Sequence, residues 1–403
     1  MATLKLGNIG SLVTYDSNIE KMVSHKNIEI VISDDKVIDI GKELGHADSF
    51  FDCKQKLVTP GFVDSHTHPV FLDSREDEFH MRVSGGLTYE EINNMGGGIS
   101  SSIEGVKKSS ESLLISKVKS RMDKFLMLGT TTVECKSGYG LDTKTELKSL
   151  KVIDEVNKKH KIDMIPTFMG AHDFPKEFID DKDSYVDLIC DEMIPEVANQ
   201  GIAKFNDVFC EKGYFNIDQS EKILNVGKKY GLYPRMHADE FYDSGASSLA
   251  ADLKVASADH LMEINCTGIE ALASSGVVGT LLPGTTFFLG KHKYAPYKEM
   301  EKNGVYVAIA TDYNPGSCGI QSMPFVIMLS CIYLHMNILE AIKSSTYVAA
   351  KSLMMENEIG SIEKGKKADV LVWNISRVEE IPYSVDSQQL KLILKNGKSI
   401  FTA

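Results

Sequence analysis

The sequence predicts an α/β protein, a (β/α)8 TIM-like barrel joined to a small β-sandwich domain that both termini build. Three observations predict it. Eight short apolar runs bounded by turn residues recur through the middle of the chain, separated by helical patterns, as parallel βαβ units require. Each end instead alternates apolar and polar residues around hairpin turns, with too few strands to bury a core alone. At 403 residues the chain exceeds an ordinary single domain and fits a barrel of about 250 residues with additions.

Taken in order, residues 28–33 turn at Asp34-Asp35 into residues 36–41, a hairpin by alternation and turn chemistry. At the far end, residues 366–373 and 390–395 flank the turn Asn396-Gly397 before residues 399–401. The composite β domain is therefore expected at 1–58 and 358–403, with the barrel at 59–357. The barrel runs are the one ahead of His66 and those at 131–136, 164–169, 207–211, 233–237, 257–261, 277–282 and 305–311. Between them lie helices such as 113–128, stopped by Gly129. Another is expected to start at a capping box, Thr143-x-x-Glu146, with Leu147, Leu150 and Ile153 on one face. A barrel of this kind carries its chemistry at the carboxyl ends of the strands.

Composition narrows the function. With 43% hydrophobic and 25% charged residues, the chain has ample core for a globular protein. A formal net charge of −12 argues against nucleic acid, whose phosphates require clustered Lys and Arg. An anionic small substrate is still open, because one local Arg can override a distant net charge. Cys53, Cys135, Cys190, Cys210, Cys266, Cys318 and Cys331 are odd in number and widely spaced, which reads as reduced thiols in a cytoplasmic protein. The first residues lack the regions of a signal peptide, and the longest apolar stretch, 325–334, is too short to span a bilayer. No membrane partner is expected.

The strand ends carry the chemistry. His66 and His68 follow a buried run one residue apart, so alternation aims both into one space. Strand three ends at His172, strand five at His237 followed by Ala-Asp-Glu240, strand six carries His260, and strand eight ends at Asp312. Any one of these alone would most simply be a core or surface histidine. Five of the 11 histidines and an acid at one barrel mouth are another matter. Three neutral imidazoles and a carboxylate suit Zn²⁺ or Fe²⁺ with a position open for water. Such an ion makes hydroxide available near neutral pH. Asp312, Glu240 and His260 are the candidates for moving the water's proton.

The segments Pro60-Gly-Phe-Val-Asp-Ser-His-Thr-His68, His237-Ala-Asp-Glu240, Ala258-Asp-His260, Ala310-Thr-Asp312 and Gly365-Lys-Lys-Ala-Asp-Val370 resemble the amidohydrolase superfamily. Within it, the chain resembles the imidazolonepropionase family through Gly96-Gly-Gly-Ile99, Glu134-Cys-Lys-Ser-Gly-Tyr-Gly-Leu-Asp142, Gly170-Ala-His172, Asp207-Val-Phe-Cys-Glu211 and Thr311-Asp-Tyr-Asn-Pro-Gly-Ser317. The resemblance implies one Zn or Fe per subunit held by His66, His68, His237 and Asp312. It implies hydrolysis of the cyclic amide of 4-imidazolone-5-propanoate to N-formimidoyl-L-glutamate in histidine degradation. Arg75 matches the position that holds the substrate's propionate, a task suited to a guanidinium fork. Tyr139 and His172 match positions contacting ring and product, and Glu240 matches one near the ring amide and the attacking water. Asn314, Gly316 and Ser317 match a loop at the product's α-carboxylate end. His260 matches a histidine that relays protons or braces the metal. Asp312 is expected to take the water's proton and Glu240 to stabilise the ring N–H. Residues 325–334, with the family's habit, suggest a homodimer.

Other conspicuous residues are read as structural. Lys136 should brace the barrel mouth, Glu211 should be structural, and Lys204, ahead of its strand, should be solvated. Strand four ends without the Lys that two-metal relatives carry there, which favours one metal. Two further readings remain at this stage. One is a deaminase of a guanine- or cytosine-like base on the same metal set, which would leave Arg75 without a purpose. The other is a non-catalytic barrel scaffold, against which the full complement of ligands argues.

Overall fold

The computed structural model describes residues 2–385 and 389–402. The N-terminal region supplies β1 (Thr3–Ile9), β2 (Ser11–Asp16), β3 (Lys21–His25), β4 (Ile28–Ser33), β5 (Lys36–Gly41), β6 (Ser49–Asp52) and β7 (Leu57–Pro60). The barrel strands are β8 (Phe62–Asp64), β9 (Thr130–Lys136), β10 (Asp163–Ala171), β11 (Phe205–Cys210), β12 (Tyr233–Ala238), β13 (Ser257–His260), β14 (Val278–Leu281) and β15 (Val307–Ile309). After the last barrel helices come β16 (Val370–Trp373), β17 (Leu390–Lys395) and β18 (Lys398–Thr402).

The strands from the two ends form two sheets. One, ordered β5-β4-β1-β6, is wholly N-terminal; the other, ordered β18-β17-β16-β7-β2-β3, interleaves both ends. The expected hairpin pairs Ile30 with Ile40. Leu6, Ile30 and Ile32 of the first sheet and Val58, Val370 and Leu394 of the second share one buried cluster, which makes the pair a sandwich. Alternation on each strand puts these apolar residues on inner faces, about 10 Å of packed side chain between sheets.

The eight barrel strands pair in parallel in chain order from β8 to β15. The circle closes at a thin seam. There the isolated bridge Thr67–Tyr313 is flanked by Asp312 N–H to His66 O at 3.1 Å and His68 N–H to Tyr313 O at 2.8 Å. The Asp64 carboxylate also crosses the seam, accepting from the Thr311 N–H at 3.1 Å and its hydroxyl at 2.6 Å. Helices pack outside, among them α1 (Glu76–Gly85), α2 (Tyr89–Asn94), α3 (Ile99–Lys108), α4 (Glu111–Met127) and α5 (Thr143–Asn157). The Ser110 hydroxyl accepts the Leu113 N–H to start α4, and Gly129 follows its end at φ 92°. No helix among the described residues is long and apolar enough to cross a membrane.

Two expectations need correcting. The capping box at Thr143 does not form, although a helix does begin there. Asp142 is the cap, its carboxylate accepting the Thr145 N–H. Glu146 instead turns back, fully buried, to accept the N–H groups of Gly138, Gly140 and Leu141. A loop with three unsatisfied amides offers a carboxylate more than one N-cap can. Lys204 is not simply solvated: half-buried, it donates to Leu353 O at 2.7 Å.

Where the chain passes from sandwich to barrel, a Cβ on Gly61 would lie 2.3 Å from Thr131 Oγ1, so only glycine fits. Beside it the Trp373 indole N–H donates to Thr59 Oγ1 at 2.9 Å, and its ring stands 6.0 Å from that of Phe62 on the barrel. Thr59→Val should leave that buried N–H unpaired and lower unfolding stability by about 1–3 kcal/mol, measured by denaturant titration.

Candidate active site

Strand β8 delivers His66 and His68 into the barrel mouth, β12 delivers His237, and the end of β15 delivers Asp312. The three Nε2 atoms converge: His68 lies 3.3 Å from His66 and 3.4 Å from His237. The three could hold a metal ion, and Asp312 Oδ1 stands near two of them, 3.5 Å from His66 Nε2 and 3.6 Å from His68 Nε2. Its other oxygen accepts the Thr285 hydroxyl at 2.6 Å, so Oδ1 is the one presented inward.

What sits behind the rings decides what they can hold. His66 Nδ1 is 2.6 Å from Asp259 Oδ2, and His237 Nδ1 is 3.1 Å from Asp207 Oδ1. A carboxylate there keeps the ring proton on Nδ1 and leaves the Nε2 lone pair facing inward. Burial, before any neighbouring charge, pushes all three imidazoles well below their ordinary pKa and so keeps them neutral. Inward lone pairs from neutral rings, with a carboxylate oxygen near two of them, suit a cation, and the three histidines fit one metal ion.

The carboxylates behind the rings are paired in turn. Arg235, fully buried, donates to Asp259 Oδ2 at 3.0 Å, Ser65 O at 2.9 Å and Ser352 O at 2.8 Å. Lys136, also fully buried, contacts Glu134 and Asp207. It braces the mouth, as its turn context suggested.

Beyond the metal cluster lies a recess of about 450 Å³, whose lining includes Arg75, Tyr139, His172, Glu240, His260, Asn314 and Ser317. The sequence-predicted residues thus meet in one place, with Gly316 just beneath. Arg75, at the start of α1, is buried, and its Nε and Nη1 have no hydrogen-bond partner. Glu78 approaches only to 3.7 Å. Glu78 Oε1 accepts the Gly98 N–H and the Ser101 hydroxyl at the start of α3, while its Oε2, the oxygen facing Arg75, has no hydrogen-bond partner either. Buried guanidinium donors left open are costly unless an anion takes them.

The segment leading to Arg75 is fixed by another guanidinium. Arg121 of α4 donates to the carbonyls of Pro69, Phe71 and Leu72 and lies 3.4 Å above the Phe71 ring. On the opposite wall, Gly316 has no room for a side chain, since a Cβ would fall 2.0 Å from Arg75 Nη2. Asn314 shapes this loop rather than reaching out of it. Its Oδ1 accepts from Gly316 and Ser317, and its Nδ2 donates to Asp312 O and Ser317 Oγ.

His172 Nδ1–H donates to Gly138 O at 2.8 Å, and the ring stacks on His68 at 5.0 Å. Burial pushes His172 down to about 4, so it offers a neutral Nε2. Glu240 Oε1 stands 3.5 Å from His260 Nδ1. Burial first, and then the nearby Asp312 charge, push the Glu240 carboxyl well above its ordinary value. Glu240 is carried on a loop held from both sides: Asp239 accepts from Ser244, Ala246 and Ser247, while Glu211 accepts from Phe241 and Tyr242. Glu211 is structural, as read from the sequence. Asp239, His260 and Asp312 have φ of 49°, 80° and 52°, a left-handed backbone that concentrates at functional sites.

Sequence reasoning missed Asp207, Asp259 and Arg235. The available signal was a charge inside a buried run: Arg235 shares a face with His237, two residues on. It also missed Tyr89, Ile99, Phe209, Phe241 and Leu289 in the recess lining; nothing in their local pattern marks them.

The amidohydrolase family model matches residues 229–400. An imidazolonepropionase of Geobacillus thermodenitrificans is 44% identical over 357 residues, covering 89% of this chain and 84% of that one. One from Fusobacterium nucleatum is 42% identical over 413 residues, covering 99% of each. Among solved structures, a variant atrazine chlorohydrolase from Arthrobacter aurescens TC1, complexed with zinc and atraton, superposes with a TM-score of 0.78 at 15% identity, covering 99% of this chain and 95% of that one. An adenosine deaminase from Xanthomonas campestris with bound zinc gives 0.76 at 16% identity, over 100% and 93%. At these identities the two share the fold.

Proposed function

Because the chain belongs to the imidazolonepropionase family, it is a cyclic-amide hydrolase of histidine degradation, and we propose the following division of labour at its barrel mouth. The reaction adds water across the ring amide of 4-imidazolone-5-propanoate and yields N-formimidoyl-L-glutamate. The observation that carries the assignment of roles is Arg75: a buried guanidinium whose Nε and Nη1 have no hydrogen-bond partner, in the recess that His68, His237 and Asp312 also line. A propionate tail takes those donors as a charge-assisted pair. An uncharged base would leave them unpaired, which disfavours the deaminase reading, and a scaffold would need neither Arg75 nor the ligand set.

His66, His68, His237 and Asp312 would hold one ion, Zn²⁺ or Fe, in each subunit. When bound it supplies a Lewis acid that lowers the pKa of water to about 7. Asp312 Oδ1 takes one proton from the attacking water, its carboxylate held still by Thr285. The water oxygen bonds to the ring carbonyl carbon, the carbon–nitrogen bond breaks, and the departing nitrogen takes up the proton that Asp312 received. Glu240 faces the ring N–H, with His260 3.5 Å behind it. Tyr139 and the neutral His172 border the ring. The loop Asn314 shapes, with Ser317, receives the carboxylate that hydrolysis creates.

The small substrate is the partner this recess requires. A homodimer fits the apolar helix Met323–Tyr333, where Ile332 is 53% exposed. The seven free thiols suit a reducing cytoplasm.

Purified protein should contain about one metal ion per chain and consume imidazolonepropanoate, followed by its ultraviolet absorbance. Chelation should stop turnover and metal should restore it; full turnover without metal would overturn the reading. His237→Ala should lose the metal, and full metal content in that variant would overturn the ligand set. Arg75→Ala should lower kcat/KM by about 1.5–3 kcal/mol. Gly316→Ala, which pushes Arg75 aside, should raise KM more than it lowers kcat.

A further inference from the structure

Lys136 takes no part in the roles above, yet its side chain is fully buried behind the metal cluster. Its Nζ lies 2.8 Å from Glu134 Oε1 and 2.7 Å from Asp207 Oδ2. Each of these carboxylates has a second commitment. Glu134 Oε2 accepts the backbone N–H of Thr67 at 3.1 Å, the residue between the two paired histidines. The Thr67 hydroxyl returns to Glu134 O at 2.6 Å. Asp207 Oδ1 faces His237 Nδ1 at 3.1 Å.

Two carboxylates without solvent do not stay charged side by side unless a cation separates them. We propose that Lys136 is the positioning residue of the metal site. Its one ammonium fixes, through Asp207, the ring of His237 and, through Glu134, the backbone that sets His66 against His68. Without it, Asp207 loses the contact that holds its Oδ1 against His237 Nδ1, and the ring loses the acceptor that orients it.

The second brace, Arg235 with Asp259, holds His66 and shares no hydrogen bond with the first among the described residues. The two braces therefore hold the Nδ1 acceptors of different histidines, Asp207 behind His237 and Asp259 behind His66, which gives a test that a general loss of packing would fail.

The inference rests on the metal site proposed above. Zinc affinity is measured by chelator competition, and the imidazole Nδ1–H signals are followed in ¹⁵N-histidine-labelled, zinc-loaded protein. Lys136→Gln should raise the zinc Kd ten- to a hundredfold and shift the Nδ1–H signal of His237 more than that of His66, whose acceptor Asp259 keeps Arg235. Adding Asp207→Asn to Lys136→Gln should cost little more, whereas adding Asp259→Asn should multiply the loss. Wild-type zinc affinity in Lys136→Gln, equal shifts at both histidines, or a loss that multiplies with Asp207→Asn would overturn it. If Lys136→Gln does not accumulate, Lys136→Met with Glu134→Gln removes one charge of each sign and gives the same reading; tight zinc there overturns the proposal. Wild-type protein that binds no zinc or iron would remove the metal site itself, and this inference with it.

Discussion

Three imidazoles aimed at one buried point are the constraint on which the rest of the site depends. Left alone, such rings would turn away or take up protons. For His66 and His237 each escape is blocked, whereas the outer nitrogen of His68 has no hydrogen-bond partner. The outer nitrogens of His66 and His237 face carboxylates, and the barrel wall holds the rings in place. The carboxylates are restrained by buried cations, Arg235 on one side and Lys136 on the other. Charge is thus balanced in layers outward from the cluster. A buried ion pair is weak evidence for stability in general, but removing one member of such a chain leaves an unpaired charge and is severe.

The Arg75 end of the recess is built differently. Its guanidinium is set by backbone and by crowding: Arg121 pins the preceding loop through three carbonyls, and Gly316 leaves room for the guanidinium. The paired histidines and Arg75 belong to one short stretch of chain, residues 66–75. Their separation is therefore governed by a single braced loop, which would set the length of molecule able to span the proposed metal and the guanidinium.

Much of this was legible beforehand, for reasons that are local. Alternation placed His66 and His68 on one face, and the eight apolar runs fall on the eight strands that form. The hairpin at Asp34-Asp35 needed only its turn residues. What escaped was set by distant neighbours. Glu146 follows a capping pattern, yet the loop amides at 138–141 claim it. Asp259 and Asp207 read as ordinary strand residues until β13 and β11 are curled beside β12. Tyr89 reaches the recess only because α2 folds over the mouth, which no periodicity along the chain records.

The thin seam between β8 and β15 is where the proposed metal ligands sit, with His66 and His68 on one side and Asp312 on the other. Staves elsewhere in the barrel are held by parallel ladders, but here a single bridge and a few flanking bonds do the work. An ion gripped from both sides would act as a rivet across this joint, and its removal would loosen the circle at its opening edge first.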